Sequence, residues 1–179
     1  MDVTQIQGPW NHMKDWVEKE LPAKATAAVL DSQGWLHTGD LARIRDGRIY
    51  ITGREKEIIV LSNGEKIPPV DAEQAISSDP AFEQVMIVGE GRPGLGLLAV
   101  CAIQDAAEIC ARANERLQNF PGYAQIRFVA RVEGPWTVEN GLLTPTLKPK
   151  RRAIEQHHAR EIDEMYRRGE IRTPRSVRN

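Results

Sequence analysis

The sequence has no long apolar run, few aromatic residues and only two cysteines. No hydrophobic stretch approaches the ~20 residues that a membrane-spanning helix needs. The start of the chain, MDVTQIQGPW, has neither the basic nor the apolar region of a secretion signal. Cys101 and Cys110 lie among apolar residues without a neighbouring His or Cys, which predicts buried thiols rather than a disulfide framework or a metal site. A cytoplasmic location is therefore expected, and no metal site is predicted.

The charge is nearly balanced overall, with 24 Lys and Arg against 25 Asp and Glu, but it is unevenly distributed. Residues 148–179 contain ten basic and five acidic residues. Because these basic residues alternate with acidic and apolar ones, they favour an amphipathic helix over a nucleic-acid surface. Aromatic residues make up 6% of the chain, and no known nucleic-acid motif is present. A nucleic-acid partner is therefore not expected.

Turn residues and apolar periodicity predict a chain of short alternating elements. Asp-Gly at 46–47, between two β-prone runs, predicts a hairpin. Loop 89–96 is rich in glycine but lacks a Gly-Lys-Ser/Thr sequence, so it favours a hairpin connection over a phosphate-binding loop. Strands are predicted at 84–89, 97–103 and 126–132, and helices at 70–78, after Asp105, after Pro149 and, near the start of the chain, around Trp10–Val17 and at 23–30.

Residues 53–69, GREKEIIVLSNGEKIPP, can be interpreted in two ways. Two glycine-containing turns around a short apolar run predict an ordinary turn, strand and turn. The alternative is a charged joint followed by a strand and loop that are presented to a reaction centre. Asp40, in a turn at a strand end, has a similar pair of interpretations, as a turn former or as an acceptor for the hydroxyls of a sugar diol. Local spacing favours the turn former.

Four segments carry a more specific signal when they are taken together: GWLHTGDL (34–41), DGRIYITGR with the following Lys and Glu (46–57), SNGEKIPP (62–69) and ENGLLTPTLKPKR (139–151). In this order they resemble the C-terminal part of the adenylate-forming acyl-CoA synthetases, which are AMP-binding enzymes. The last segment is most similar to the long-chain fatty-acid CoA ligase branch. The resemblance covers about residues 24–166.

This resemblance implies a two-step reaction that uses ATP, Mg²⁺ and coenzyme A. A fatty-acid carboxylate attacks the α-phosphate of ATP, and the coenzyme A thiol then displaces AMP from the acyl-adenylate. By position in the motifs, Asp40 and Arg54 correspond to the residues that bind the ribose, Lys56 to the hinge and Lys148 to the lysine inserted during adenylation. Ser62, Asn63 and Gly64 correspond to the loop that faces the pantetheine channel.

The resemblance also implies a domain organisation and an α+β fold. Residues 1–52 would be the end of a large N-terminal domain, and 53–179 a mobile C-terminal lid with a hinge near Lys56. The lid is expected to contain a hairpin at the hinge and a sheet of about three strands covered by helices.

The sequence contains no segment similar to the phosphate loop or acyl tunnel of the family. We therefore expect the chain to be part of a longer enzyme, to need an N-terminal adenylation domain as its partner, and to be nearly inactive alone. Any peripheral membrane contact would be made through that domain. Two alternatives stay open: a stand-alone module that binds a nucleotide or acyl-CoA without turnover, and a ligase for aryl or medium-chain acids.

Overall fold

The computed structural model describes residues 35 and 37–171, apart from the side chain of Thr52. The chain divides into two compact units, Met1–Glu57 and Ile58–Asn179, each considered by itself below. The helices predicted around Trp10–Val17 and at 23–30 lie outside the described residues. The domain boundary after residue 52 and the hinge near Lys56 stay predictions.

The described part of the first unit is an antiparallel hairpin of β1 (Asp40–Arg45) and β2 (Arg48–Arg54), followed by a short 3₁₀ helix, Glu55–Glu57. Both residues of its two-residue turn adopt the left-handed conformation, with φ of 51° at Asp46 and 71° at Gly47. A tight hairpin turn that matches the twist of its strands requires this conformation, and Asp-Gly tolerates it well. The hairpin predicted from Asp46-Gly47 is therefore confirmed.

The second unit contains two sheets and four α-helices among the described residues. A small sheet pairs β3 (Ile59–Val60) with β4 (Lys66–Ile67), and the larger one has the order β5–β6–β7, in which β5 and β6 are antiparallel and β6 and β7 parallel. The larger sheet consists of β5 (Phe82–Val88), β6 (Leu95–Cys101) and β7 (Ile126–Arg131), and the helices are α1 (Pro69–Ser77), α2 (Ala106–Arg116), α3 (Arg151–His157) and α4 (Ala159–Arg168). The predicted α+β class, two-stranded hairpin and three-stranded sheet are confirmed.

Local sequence explains where several helices begin. Pro69 is the first residue of α1, where a missing backbone N–H costs nothing. The Asp105 side chain accepts a hydrogen bond from the Ala107 N–H at 3.1 Å and so caps α2. The helix starts predicted after Pro68-Pro69 and Asp105 therefore agree with the structure.

The central strand β6 is buried along its whole length, because helices cover both faces of the sheet. Alternate residues enter two separate hydrophobic clusters: Leu97 and Ala99 pack with residues of α1 and α2, whereas Leu98 and Val100 pack with residues of α3 and α4. This two-sided burial explains why the strand is an uninterrupted apolar run rather than an alternating one. Both clusters lie entirely within the second unit.

Both cysteines and one of the two adjacent histidines are buried. Cys101 and Cys110 are buried, as predicted, and burial raises the pKa of the Cys101 thiol. His157 is exposed, but His158 is almost fully buried at the junction of α3 and α4, where its Nε2 accepts a hydrogen bond from the Trp136 indole at 3.0 Å. The sequence predicted one continuous helix after Pro149, and the structure instead divides it at His158.

The described residues contain no group of three or more His, Cys, Asp or Glu side chains placed to hold a metal ion. No helix in this part of the chain is both long enough and apolar enough to cross a membrane.

Candidate active-site residues

Asp40 and Arg54 form an ion pair at the open end of the β1–β2 hairpin. The strand register places them directly opposite each other, and Arg54 Nε lies 3.1 Å from Asp40 Oδ1. The Arg54 side chain is 60% exposed and that of Asp40 is 26% exposed. Thr38 Oγ1 accepts a hydrogen bond from the Asp40 backbone N–H and so holds the start of β1. Two residues that the resemblance assigned to one ligand are thus brought together.

The chemistry of this pair suits a polyhydroxyl ligand. A carboxylate accepts hydrogen bonds at both oxygens, whereas a guanidinium only donates them. A diol beside the pair could therefore donate to Asp40 and accept from Arg54. Because Arg54 is largely exposed, the ion pair contributes little to stability by itself.

Lys56 is the middle residue of the 3₁₀ helix that follows β2, and its side chain is exposed. The Glu55 N–H donates to the Gly39 carbonyl at 2.8 Å, so the start of this short helix is tied to the hairpin. The division between the two units falls after Glu57. Lys56 therefore lies immediately beside the boundary, and its role as a hinge stays a prediction.

Ser62, Asn63 and Gly64 form the exposed turn between β3 and β4. Asn63 Oδ1 accepts the Glu65 N–H at 3.1 Å, and the Gly64 N–H donates to the Leu61 carbonyl at 2.8 Å. Gly64 has a φ of 86°, which favours glycine, yet an added Cβ would meet no atom within 4 Å. The backbone conformation requires this glycine, and the space beside it is open to an approaching group.

The same turn is held by the glycine-rich loop between β5 and β6. The Ser62 N–H donates to the Arg92 carbonyl at 2.9 Å, and the Gly91 N–H donates to the Val60 carbonyl at 2.8 Å. Glu90 Oε2 accepts the Val60 N–H at 2.8 Å. The sequence predicted only a hairpin connection for this loop, and it carries no local signal for a contact between residues thirty positions apart.

Arg92 continues the connection from this loop to α4. Its guanidinium donates to Asp163 at 2.7 Å and lies over the Tyr166 ring, with 4.9 Å between Cζ and the ring centroid. The Tyr166 hydroxyl donates to the Gly94 carbonyl at 2.9 Å, and burial raises the pKa of this phenol. The turn at Ser62 is thus connected to α4, and no local sequence pattern predicts this connection.

Lys148 lies in a tight loop closed by its own backbone. The Thr144 N–H donates to the Lys148 carbonyl at 2.8 Å, and Thr144 Oγ1 accepts the Lys148 N–H at 3.0 Å. Below the loop, the Lys150 N–H donates to the Leu142 carbonyl at 2.9 Å. Lys148 itself is exposed, so the loop presents a cation to solvent at a defined place.

Leu147, directly before the lysine, is unusual in two respects. Its φ is 60°, a left-handed conformation that costs a non-glycine residue roughly 1–2 kcal/mol. Its side chain is also 70% exposed. Strain of this kind is retained where a loop has a defined task. The motif that contains Lys148 is visible in the sequence, but no sequence pattern predicts this conformation of Leu147.

The base of the loop is anchored in the protein interior. Leu142 and Leu143 are buried in the same cluster as Trp136. Asn140 Oδ1 accepts the N–H groups of Thr137 and Leu142, at 2.9 and 3.2 Å. The exposed lysine therefore extends from a rigid base, in contrast to a lysine on a loose surface loop.

The predicted residues are distributed between the two units. Asp40, Arg54 and Lys56 belong to the first unit, and the 62–64 turn and Lys148 belong to the second. Only Asp40 and Arg54, among these, are joined by an ion pair in the described structure.

Comparison with known proteins gives a consistent family assignment. A family model described as the AMP-binding enzyme C-terminal domain matches residues 56–170. The chain is 28% identical to a chloroplastic long-chain-fatty-acid–[acyl-carrier-protein] ligase of Arabidopsis thaliana, over 92% of this chain and 25% of that protein. It is 31% identical to long-chain-fatty-acid–CoA ligase 1 of Cavia porcellus, over 90% of this chain and 26% of that protein. The chain thus spans about a quarter of the length of these relatives.

Solved structures show the same fold at lower sequence identity. The adenylation domain of a carboxylic acid reductase from Segniliparus rugosus, in complex with AMP and a co-purified carboxylic acid, superposes with a TM-score of 0.75 at 21% identity. That match covers 82% of this chain and 25% of the other. The ATP-bound protein MatB from Rhodopseudomonas palustris has a TM-score of 0.57 at 19% identity, over 78% of this chain and 27% of that one.

Proposed function

We propose that this chain, which belongs to the family of AMP-binding enzyme C-terminal domains, supplies the mobile lid of an ATP-dependent ligase that joins long-chain fatty acids to a thiol. The observation that carries the proposal is the closed loop at 144–148, which presents Lys148 on a rigid base within a chain that matches this family. The fatty-acid ligases among the relatives support the class of substrate.

In the first half-reaction a carboxylate oxygen attacks the α-phosphorus of ATP, and pyrophosphate leaves with its bonding electrons. Both reactants are anionic, so charge builds up on the oxygens of the transition state. The Lys148 ammonium, a compact cation with three donors, would lie beside the α-phosphate and the attacking carboxylate. A cation held where charge develops lowers the barrier most when its support is rigid.

The nucleotide would be held through its ribose by the Asp40–Arg54 pair. Asp40 would accept hydrogen bonds from the ribose hydroxyls, and Arg54 would donate to their oxygens. Their direct opposition across β1 and β2 keeps both groups in place before the ligand binds.

In the second half-reaction the thiolate attacks the acyl carbonyl carbon, and AMP leaves as the bond between that carbon and the phosphate oxygen breaks. The turn at 62–64 would face the pantetheine arm that carries the thiol. Its exposure and the open space beside Gly64 would let the arm approach the backbone closely. The lid would turn near Lys56 between the two steps, so that each face serves one half-reaction.

Mg²⁺ accompanies ATP in adenylate-forming enzymes of the family that this chain resembles. The described residues do not supply a cluster of ligands for such an ion. The roles proposed above therefore involve only the side chains and backbone of the chain itself, and the ion would be held by the phosphates and by an N-terminal adenylation domain.

Coenzyme A is the thiol proposed first, and an acyl-carrier protein is a second candidate. The relative from Arabidopsis thaliana is named as an acyl-carrier-protein ligase, whereas that from Cavia porcellus is named as a CoA ligase. The proposed thiol-facing turn would meet a pantetheine arm in either case. Assays with coenzyme A and with holo acyl-carrier protein as the acceptor would distinguish the two.

Exchange of labelled pyrophosphate into ATP tests the first half-reaction. In the enzyme that joins this chain to an adenylation domain, Lys148→Ala should lower exchange with a long-chain acid by ~10²–10³-fold, because it removes the cation from the transition state. Lys150→Ala, which removes a second exposed lysine near the same loop, is the matched control and should exchange normally. Both variants should convert preformed acyl-adenylate to thioester at the unsubstituted rate.

The same assay addresses the alternatives. The 179-residue chain alone should show no exchange, and exchange by the chain alone would contradict the requirement for an adenylation domain. Full exchange by Lys148→Ala would contradict its catalytic role. Faster exchange with aryl or medium-chain acids than with long-chain acids would change the substrate class. Binding of ATP or acyl-CoA without turnover in the joined enzyme would favour a binding module.

A further inference from the structure

Arg151 is the first residue of α3 and lies three positions after Lys148. Its side chain is only 15% exposed, and its Nη1 donates to Glu73 Oε1 at 2.7 Å. Glu73 is on α1 and is 17% exposed. Charged side chains are seldom buried this far unless they are paired, and breaking such a pair leaves a charge without compensation.

Both side chains also bind the backbone of one residue of β5, Ile87. Glu73 Oε1 accepts the Ile87 N–H at 2.7 Å, and Arg151 Nη2 donates to the Ile87 carbonyl. Since β5 is the edge strand of its sheet, these groups of Ile87 have no neighbouring strand on that side. Buried backbone groups need partners, and the ion pair provides an acceptor and a donor in the place of a strand.

We propose that Glu73 and Arg151 are positioning residues for Lys148. This inference rests on the proposed function, because it assigns the ion pair to the adenylation step. Arg151 is fixed to β5 and α1, and the chain that connects it to Lys148 is only two residues long, one of them Pro149. The pair thus holds one end of residues 148–151, which form the second limb of the loop. It thereby determines where the Lys148 ammonium group is placed.

The first limb of the loop, residues 142–144, is held in place without the ion pair. Leu142 and Leu143 are buried in the hydrophobic cluster on the α3 and α4 side of the sheet. The two limbs meet through the Thr144 N–H, which donates to the Lys148 carbonyl, and through the Lys150 N–H, which donates to the Leu142 carbonyl. Loss of the ion pair should therefore loosen the second limb against a first limb that stays in place.

The first test needs only the chain itself. Arg151→Met keeps an unbranched side chain but removes the guanidinium, and Arg152→Met makes the same change at the exposed neighbouring position. Hydrogen exchange followed by NMR should be faster at the Thr144 and Lys150 amides in Arg151→Met and unchanged in Arg152→Met. The Leu98 amide, in the buried central strand, should stay protected in both. Unchanged exchange at Thr144 and Lys150 in Arg151→Met would overturn the proposal.

The second test separates the two half-reactions in the enzyme joined to its adenylation domain. Misplacement of a catalytic group by about 1 Å can cost ~10²-fold in rate. Arg151→Met should therefore lower pyrophosphate exchange by about 10- to 100-fold, and conversion of preformed acyl-adenylate to thioester should not change. Glu73→Gln retains an oxygen that can accept from Ile87 and Arg151, so it should exchange pyrophosphate far better than Glu73→Leu.

Other outcomes have defined meanings. Equal losses in both half-reactions, accompanied by a lower Tm, would show that the pair only stabilises the edge strand β5. The proposed positioning of Lys148 would then be wrong. If Arg151→Met does not fold, Arg151→Lys decides the question, because an ammonium lacks the fork needed to bind Glu73 and the Ile87 carbonyl together. Normal exchange by Arg151→Lys would then overturn the proposal. If Lys148→Ala exchanges pyrophosphate fully, the proposed function fails, whereas the amide-exchange result still reports on the ion pair itself.

Discussion

At the scale of single residues, the charged side chains of the described residues have two distinct roles. Arg54 and Lys148 are exposed, where a charge is available to a ligand. Asp79 is 1% exposed and is paired with Arg112 at 2.8 Å and Arg116 at 3.6 Å, where its charge stabilises the fold. Burial and pairing therefore separate candidate functional charges from structural ones more clearly than residue type does.

The Asp79 cluster predicts how stability depends on pH. Hydrogen bonds from the Arg112 side chain and the Ala81 N–H, together with the nearby positive charges, lower the pKa of Asp79 from 3.8 to about 2, although burial opposes the shift. Between these values the unfolded chain binds a proton that the folded chain does not, so the free energy of unfolding falls as the pH falls. The contribution present above pH ~4 is about 1–2 kcal/mol, since Arg112 is partly exposed to screening solvent.

Urea unfolding between pH 2 and pH 6 would measure this dependence. Asp79→Asn should lower stability at pH 6 and flatten the curve between pH ~4 and pH 2, because it removes the titrating group. Asp71→Asn, at an exposed position on α1, is the control for the change in net charge. An unchanged slope in Asp79→Asn would show that other carboxyl groups produce the acid sensitivity.

Leu147 and Asp46 have similar backbone conformations, but the sequence predicts only that of Asp46. Both residues have φ between 50° and 60°. At Asp46 the following glycine and the flanking β-prone runs predict a tight turn. At Leu147 nothing in the residue type predicts a left-handed conformation, which arises from closure of the loop between Thr144 and Lys148. Residue type thus predicts a left-handed conformation only where the residue tolerates that conformation well.

At the scale of elements, the loop between β5 and β6 connects parts that are distant in sequence. Arg92 holds the Ser62 N–H through its backbone and Asp163 of α4 through its side chain. The glycines at 89, 91, 94 and 96 suggested phosphate binding only superficially. Gly94 and Gly96 lie directly under two side chains, because an added Cβ would lie 2.9 Å from Arg127 Cδ and 2.4 Å from Met165 Cε. The loop is therefore a structural support for the turn at 62–64.

This connection predicts the effect of removing one hydroxyl group. Tyr166→Phe should lower the free energy of unfolding by about 1–2 kcal/mol, because it leaves the Gly94 carbonyl without its donor. Tyr123→Phe is the matched control: Tyr123 is 44% exposed, and its change should be within about 0.5 kcal/mol of zero. Urea denaturation of the three proteins would measure both differences. Equal effects of the two substitutions would show that the bond to Gly94 contributes nothing.

At the scale of the whole molecule, both hydrophobic clusters lie after residue 58. The hairpin of the first unit instead exposes large apolar residues: Ile44, Ile49, Tyr50 and Ile51 are each at least 49% exposed. The second unit therefore contains its own core among the described residues.

A substitution at Lys56 tests the hinge directly. Lys56→Pro fixes φ near −65° and should slow the complete two-step reaction in the joined enzyme, because the backbone can no longer rotate between the two poses. Pyrophosphate exchange or thioester formation from preformed acyl-adenylate should be retained in whichever pose the proline allows. Lys56→Ala removes the same charge without restricting φ and should support both steps. Equal loss of stability and of both half-reactions in Lys56→Pro would return this segment to an ordinary turn.

Much of the fold could be predicted because its signals are local. The cap at Asp105, the proline at the start of α1 and the Asp-Gly turn each depend on the conformational preferences of neighbouring residues. The four motif segments likewise identified the family before any contact was known. Asp40 is the first residue of β1 and Arg54 the last residue of β2, so a hairpin that turns at Asp46-Gly47 brings them together.

By itself, the sequence determined the tight turn and the helix starts, because these depend on a few neighbouring positions. Its four motif segments also carried the family resemblance, which implied the α+β class and the residues that are candidates for chemistry. The tertiary structure alone decided the parallel pairing of β6 with β7, the support of Ser62 by Arg92 and the attachment of Arg151 to β5 through Glu73. These contacts join residues between 30 and 78 positions apart. Buried polar groups need hydrogen-bond partners, and which of them lack a partner is decided only when the sheet and helices have packed. No local sequence pattern predicts these contacts.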